Sequence, residues 1–132
     1  MKTLFFATLV ALATTAGATQ TDINAQDING NTALMVAAAQ GNVAQLQSLI
    51  EKGAEVDARG RIGNTALIYA AQEGHVDVVK MLVDAGADIA ARNDYKVTAG
   101  SLAKGYGHRD IAETLETVTL QAAAEMQKSN RI

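Results

Sequence analysis

The chain repeats itself with a period of 33 residues, and this period limits its possible folds more than any other feature. Residues 27–59 and residues 60–92 are identical at fourteen of thirty-three aligned positions, and the run Gly-Asn-Thr-Ala-Leu stands at both 30–34 and 63–67. A fixed period of about 20 to 50 residues is typical of repeat proteins, in which each unit buries its apolar face against its neighbours. The sequence therefore predicts a stack of similar units.

Each unit contains a short helical pattern and a longer one. In the second unit a short apolar stretch follows Thr65, a residue type that caps helix N-termini. It ends at Gly74, where glycine can adopt the left-handed conformation that closes a helix. Apolar residues then recur at three- and four-residue spacing from Val76 to Val83, and Gly86 ends the run. The first unit has the same layout, so the sequence predicts an all-α chain of helix-turn-helix units.

These residues resemble the ankyrin repeat family, whose signature runs Asp, Gly, Thr-Pro-Leu-His, Ala-Ala, Gly-His and then Gly-Ala-Asp. The second unit carries the signature as Gly63, Thr65-Ala66-Leu67-Ile68, Ala70-Ala71, Gly74-His75 and Gly86-Ala87-Asp88. The first unit carries it as Asp27, Gly30, Thr32-Ala33-Leu34-Met35, Ala37-Ala38, Gly41 and Gly53-Ala54. The resemblance covers about residues 22–118. It implies an ankyrin-repeat solenoid whose concave surface binds other proteins.

Two departures from the family signature predict local differences. Met35 and Ile68 stand where the family has histidine, so hydrogen bonds are lost and these apolar side chains are expected to pack in the core. In the third unit Lys96 replaces the turn glycine, and Gly100-Ser101 replaces Leu-His. We expect the short helix of the third unit to be the weakest element of the stack.

The end of the chain predicts one long helix over about residues 110–127. The Gly-Ala-Asp segment is absent after Leu115, and an apolar stripe continues toward Met126. We predict a domain at 19–132, made of a partial repeat at 22–26, repeats at 27–59, 60–92 and 93–118, and a C-terminal cap at 119–132. Repeat arrays need such end units to cover their last apolar faces.

The N-terminus has the pattern of a secretory signal peptide over residues 1–18. Lys2 precedes an apolar run from Leu4 to Ala13, and small residues at Ala16 and Ala18 indicate cleavage after Ala18, with cleavage after Ala13 as the alternative. Ten apolar residues are too few to span a bilayer, which takes about twenty. The chain contains no cysteine, and therefore no lipoprotein anchor or disulfide. We expect a bacterial protein secreted into the periplasm, without membrane insertion after signal removal.

Composition and spacing argue against nucleic-acid binding and catalysis. Loss of Lys2 takes the formal charge from −3 to −4, whereas nucleic-acid binders are usually basic. The only histidines, His75 and His108, lie one period apart at the family's structural Gly-His position, and no further metal ligands are spaced around them. Asp110, Glu113 and Glu116 are expected on a solvated helix face. We predict a protein that is not an enzyme and has no cofactor and no metal.

The resemblance places partner-binding residues at the turn tips and at the C-terminal ends of the short helices. Ile62 and Tyr95 are apolar residues at tips, and four basic residues line the same edge. Aromatic and arginine side chains dominate binding energy at protein interfaces. Alternatively, these side chains cover neighbouring turns or are simply solvated. The predicted partner-binding residues are Asn29, Asn31, Arg59, Arg61, Ile62, Asn64, Gln72, Glu73, Arg92, Tyr95, Val97 and Tyr106.

The leading hypothesis is a non-catalytic periplasmic protein-binding module, monomeric when unbound. It would act as an inhibitor or immunity protein, or as an accessory protein for a periplasmic enzyme, including one of periplasmic peroxide defence. A second hypothesis is an anionic small-ligand or cell-wall binding protein that uses Arg59, Arg61, Arg92 and Lys96. A third is self-association through an uncovered end repeat or the terminal helix.

Overall fold

A computed structural model describes residues 22–130, and this part of the chain contains six α-helices and no strand. The short helices are α1 (Ala33–Gln40), α3 (Ala66–Glu73) and α5 (Ala99–Gly105), and the long helices are α2 (Val43–Glu51), α4 (Val76–Asp84) and α6 (Arg109–Ser129). The predicted signal peptide lies outside the described residues. The all-α class predicted from the sequence is confirmed.

Each short helix begins at a threonine one period from the next. The hydroxyl groups of Thr32, Thr65 and Thr98 accept hydrogen bonds from the backbone N–H three residues later, at 3.3, 3.3 and 3.2 Å. These bonds satisfy N–H groups that have no partner inside the helix. Gly41 and Gly74 end α1 and α3 in the left-handed conformation, with φ of 71° and 80°. The predicted caps and stops of these helices are confirmed.

The units stack with their short helices in one row and their long helices in a second row. Alanines such as Ala37, Ala38, Ala70 and Ala71 are fully buried between the short helices, and their size lets the helix backbones approach closely. Large apolar side chains fill the space between the rows, among them Leu34, Leu46, Leu67, Leu82 and Ile111. Met35 and Ile68 are also buried, as expected from the loss of the family's histidine.

The tips between units are five-residue turns tied to one another. In each turn the first residue donates its backbone N–H to the carbonyl of the fifth, from Asp27 to Asn31 and from Gly60 to Asn64 at 2.9 and 2.8 Å. The second and third tips are joined by a hydrogen bond from the N–H of Asp94 to the carbonyl of Ile62, at 2.9 Å. The tips therefore form a braced edge along the stack.

The third turn keeps this shape without its glycine. Lys96 has a φ of 65°, the same left-handed region that Gly30 and Gly63 occupy in the other turns. A non-glycine residue in this region carries strain of about 1 kcal/mol or more. The helix that follows, α5, is formed but has seven residues, one fewer than α1 and α3.

The two histidines link consecutive units. His75 Nε2 donates to the carbonyl of Ala39 at 2.9 Å, and His108 Nε2 donates to the carbonyl of Gln72 at 3.1 Å. Each ring also lies on the helix-ending glycine of the preceding unit, and a Cβ atom at Gly74 would stand 2.6 Å from the His108 ring. The predicted structural role of both histidines is confirmed.

The last helix is longer than a repeat helix and leaves the body of the stack. It runs from Arg109 to Ser129, one residue before and two after the predicted bounds. Ile111, Ala112 and Leu115 are buried against the stack, whereas every residue from 121 to 130 is exposed. No helix in the described part of the chain is long and apolar enough to cross a membrane.

Candidate protein-binding surface

The turn tips and the C-terminal ends of the short helices form a surface that we call the tip surface, comprising residues 28–31, 59, 61–62, 72–73, 92, 94–97 and 106. Three large side chains predicted as binding residues are exposed on it: Ile62 at 38%, Tyr95 at 70% and Tyr106 at 59%. Ile28 is also exposed at the first tip, although the prediction left it out. Its apolar character at a tip position was the available sequence signal.

The backbone that carries Tyr95 is held on both sides. The side-chain oxygen of Asn93 accepts hydrogen bonds from the N–H groups of Tyr95 and Val97, at 2.9 and 3.0 Å. The Asn93 amide in turn donates to the side chain of Asn64 at 2.9 Å. Tyr95 is therefore an exposed ring on a fixed turn, an arrangement that lowers the entropy lost when a partner binds.

Asn64 does not lie on the exposed surface as predicted. Its side chain is 3% exposed, because Asn93 of the next turn packs over it and hydrogen-bonds to it. Asn31 takes the corresponding place in the first unit, where its side-chain oxygen accepts from the Tyr69 hydroxyl at 3.0 Å. It is half-buried, as is Val97. These three residues therefore lie at or near the hydrogen bonds that hold the tips together, whereas Asn29 is exposed.

Arg59 takes part in a ladder of hydrogen bonds between units. The Gln26 amide donates to the carbonyl of Arg59 at 2.7 Å, and the Arg59 guanidinium donates to the carbonyl of Arg92 one period later. Part of the Arg59 hydrogen-bonding capacity is thus used within the stack. Arg92 stands at the last position of this series, and its side chain is exposed.

The basic edge predicted from the sequence is interrupted by a carboxylate. Arg61, Arg92 and Lys96 are exposed, but Asp94 occupies the position in the third turn that Arg61 occupies in the second. The Asp94 carboxylate lies over Gly63, where an added Cβ would be 2.7 Å from its Oδ1. Positive charge therefore alternates with negative charge along the tips and does not form one continuous patch.

The ends of the short helices add polar and aromatic groups. The Gln72 amide donates to the Glu73 carboxylate at 3.3 Å. The Tyr106 ring stacks on the His108 ring with centroids 6.4 Å apart and an angle of 13° between their planes. Because His108 is bonded to Gln72 of the preceding unit, Tyr106 is supported by the stack while remaining open to solvent.

Comparison with known families agrees with this geometry. A family model of ankyrin repeats, built on three copies, matches residues 6–93, about two thirds of the chain. The chain belongs to the ankyrin repeat family. Members of this family are generally non-catalytic modules that bind other proteins. No curated protein matches this ankyrin repeat chain.

The family match begins inside the predicted signal peptide and ends at the start of the third turn. The residues beyond it include Lys96 and Gly100-Ser101, the departures from the signature noted above. The structure nevertheless stacks α5 and α6 on α3 and α4, so this part continues the solenoid in three dimensions. The family-model match therefore ends before the solenoid does.

The described residues of this ankyrin repeat protein contain no group of three or more histidine or acidic side chains that could hold a metal ion. Asp110, Glu113 and Glu116 are exposed on α6, as predicted. The hydrogen bonds of both histidine rings go to main-chain carbonyls, an arrangement that connects repeats.

Proposed function

We propose that the tip surface binds a partner protein and that this chain acts as a non-catalytic binding module. The observation that carries the proposal is the exposure of Tyr95 and Ile62 on turns whose backbones are hydrogen-bonded to each other. Exposed aromatic side chains on a preorganised framework are the usual anchors of protein interfaces. Arg92, exposed beside them, adds a second residue type that is common at such anchors.

A protein partner fits the tip surface better than a small anion does. The apolar anchors stand on separate turns, so a partner must be large enough to span two or three units. An anion site needs convergent positive charge. Here Arg59 is partly engaged in the stack, and Asp94 interrupts the basic edge. The small-ligand hypothesis therefore ranks second to a protein partner, and affinity capture distinguishes the two.

We propose that the protein acts in the periplasm after removal of residues 1–18. Besides the N-terminal pattern, the front of the first unit supports this proposal. Gln45 is exposed there, whereas the equivalent Val78 of the second unit is buried against the preceding unit. Asn42, equivalent to His75, caps its own helix with a 3.1 Å hydrogen bond from the Gln45 N–H. The front face is therefore polar at both of these positions.

Cleavage is tested by intact-mass measurement of the protein recovered from periplasmic and cytoplasmic fractions of the producing cell. We expect a periplasmic species that begins at Thr19. A full-length species confined to the cytoplasm would contradict the proposed location and leave the tip-surface proposal standing.

Binding is tested by affinity capture from periplasmic extract with the wild type and a Tyr95→Ala, Arg92→Ala double variant. Lys80→Ala, on the exposed side of a long helix, serves as the matched control. We expect one dominant protein that is captured by the wild type and the control and lost with the double variant. Capture that survives in the double variant, or no capture at all, would contradict the proposal. In the latter case, salt-sensitive binding of a phosphate or cell-wall fragment would favour the small-ligand hypothesis.

The captured protein also decides between inhibition and assistance. If it is an enzyme, its activity is measured with and without saturating amounts of this chain. A decrease indicates an inhibitor or immunity protein, and an increase or a longer activity lifetime indicates an accessory protein. A catalase or peroxidase as the captured enzyme would support the peroxide-defence alternative.

A further inference from the structure

The C-terminal end of the stack carries an open groove of about 730 Å³. It lies between α5 and α6, with Ile89 and Ala90 at one side. The side chains of Leu115, Thr119 and Leu120 from α6 contribute to its wall. This end face is separate from Tyr95 and Ile62 of the tip surface, which do not line the groove.

The groove exists because the third unit lacks the side chains that fill this space elsewhere. Gly100 and Ser101 line it at the positions that Leu67 and Ile68 occupy in the second unit. Leu67 and Ile68 are almost completely buried in the second unit, which has a further unit stacked on it. Because α5 lacks these two large side chains, its surface at the C-terminal end of the stack is hollow.

The wall of the groove continues along α6 beyond the stack. We call residues 121–130, all of which are exposed, the projecting half of α6. Glu116, Thr119 and Leu120 line the groove, and seven residues after each of them stand Ala123, Met126 and Gln127. Seven residues are about two helical turns, so these side chains share one face. Leu120 and Met126 are 66% and 69% exposed on it.

Every residue of the projecting half is exposed, so no other element in the described part of the chain covers it. Most of the stability of a helix in a protein comes from packing of an amphipathic face, and an unpacked helix end frays, so a packing partner would stabilise this segment. It cannot fold back into the groove of its own copy, because the groove wall is the first half of the same continuous helix. We propose that it lies in the groove of a second copy of this chain, so that two α6 helices pair antiparallel about Leu120.

The dimensions of the two parts agree with this pairing. The projecting half is about 15 Å long, and the stretch of α6 from Ala112 to Leu120 along the groove is about 12 Å long. A two-fold axis near Leu120 places each projecting half over the other groove at the same time. In such an isologous dimer, one interface covers the groove and the projecting half of both copies.

The charges on the paired faces are compatible. In an antiparallel pair centred on Leu120, Glu113 lies opposite Gln127 of the second copy, and Glu116 lies opposite Ala124. In this register the carboxylates of Glu113 and Glu116 meet a neutral amide and a small apolar side chain. The Gln127 amide is a donor suited to the Glu113 carboxylate.

The size of the contact predicts a weak dimer. Eleven residues line the groove, and about half of the projecting half faces the same way. Specific interfaces use about 20 to 30 residues a side for a total of about 1,600 Å², so roughly 16 residues a side correspond to about 1,000 Å². We expect a dimer that forms with rising micromolar concentration, in place of the monomer expected from the sequence. The inference does not depend on the proposed tip-surface function.

Sedimentation velocity across micromolar concentrations tests the dimer. The sample is the protein as purified from the producing cell, with no further truncation. We expect the average mass to rise toward twice the monomer value. Met126→Lys should weaken association about tenfold or more, since it places a charge on the contact. Gln47→Lys, at an exposed position on α2 away from both the groove and the tip surface, is the control and should associate like the wild type. Because residue 126 is exposed, both variants should keep the wild-type circular dichroism spectrum.

The geometry is tested by single cysteines, since the chain has none of its own. Leu120→Cys should oxidise to a disulfide-linked dimer because it lies on the proposed axis. The exposed neighbour Gln121→Cys points away from the groove and should stay monomeric. Gln127→Glu should weaken the dimer by repelling Glu113, and adding Glu113→Gln should restore it. A constant monomer mass, or a dimer that Met126→Lys and Gln127→Glu leave unchanged, would overturn the proposal.

Discussion

The two ends of the stack differ in how the exposed face of the last repeat unit is made. At the front, polar Gln45 stands exposed where Val78 is buried in the second unit. At the back, Gly100 and Ser101 remove side-chain volume, and a helix continues beyond the body. A repeat array can end without an exposed apolar surface when the residues of its last face are polar. An end face whose side chains are only smaller keeps an apolar groove.

The same comparison holds for the links between units. His75 and His108 reach back to carbonyl groups of the preceding unit, whereas Asn42 at the front caps its own helix. At the back, Gly107 has no atom within 4 Å of the place where its Cβ would stand, whereas Gly74 lies under the His108 ring. The loss of stability caused by adding a side chain at equivalent positions thus depends on whether another unit stacks on them.

The largest expected effect comes from exchanging the polar and apolar residues of the front-facing position. Val78→Gln buries an amide without partners between two units and should lower the free energy of unfolding by about 3 kcal/mol or more. Gln45→Val leaves an apolar side chain in solvent and should change it by less than about 0.5 kcal/mol. Urea unfolding of both variants provides the measurement. Equal losses would show that the first unit is covered at its front as the second is.

A second comparison uses two glycines one period apart. Gly74→Ala should cost about 3 kcal/mol, because the new Cβ adds a clash with the His108 ring to the strain of a φ of 80°. Gly107→Ala has the same φ but no neighbour, so it should cost about 1 kcal/mol. The difference, measured by thermal or urea unfolding, reports the contact between stacked units. Similar costs at both positions would indicate that backbone strain alone determines the requirement for glycine.

The smallest expected effect concerns the third turn. Lys96→Gly should raise the free energy of unfolding by about 1 kcal/mol, since Lys96 has a φ of 65°. Gly63→Lys should lower it by more than that amount, because Asp94 of the next turn occupies the space its Cβ needs. Unfolding curves of both variants against wild type are the test. A loss of stability in Lys96→Gly would mean that the lysine side chain makes a contribution larger than its strain.

The sequence predicted those features that depend on contacts within one unit. The threonine caps, the glycine stops and the apolar faces of the long helices follow from local spacing, and the 33-residue period then gives the stack. Asn64 was misplaced because its burial depends on Asn93 of the following turn. The groove at the back was not predicted because it results from the absence of a following unit. Interactions across units thus limited the prediction of the site more than that of the fold.

Photocrosslinking in the producing cell most directly tests whether the tip surface is the binding surface. A photoreactive phenylalanine analogue is placed at Tyr95 in one strain and at Lys80, on the opposite exposed side of a long helix, in another. We expect a discrete adduct between this chain and one other protein at position 95 and none at position 80. Adducts at position 80 alone, or at neither position, would contradict the assignment of partner binding to the tip surface.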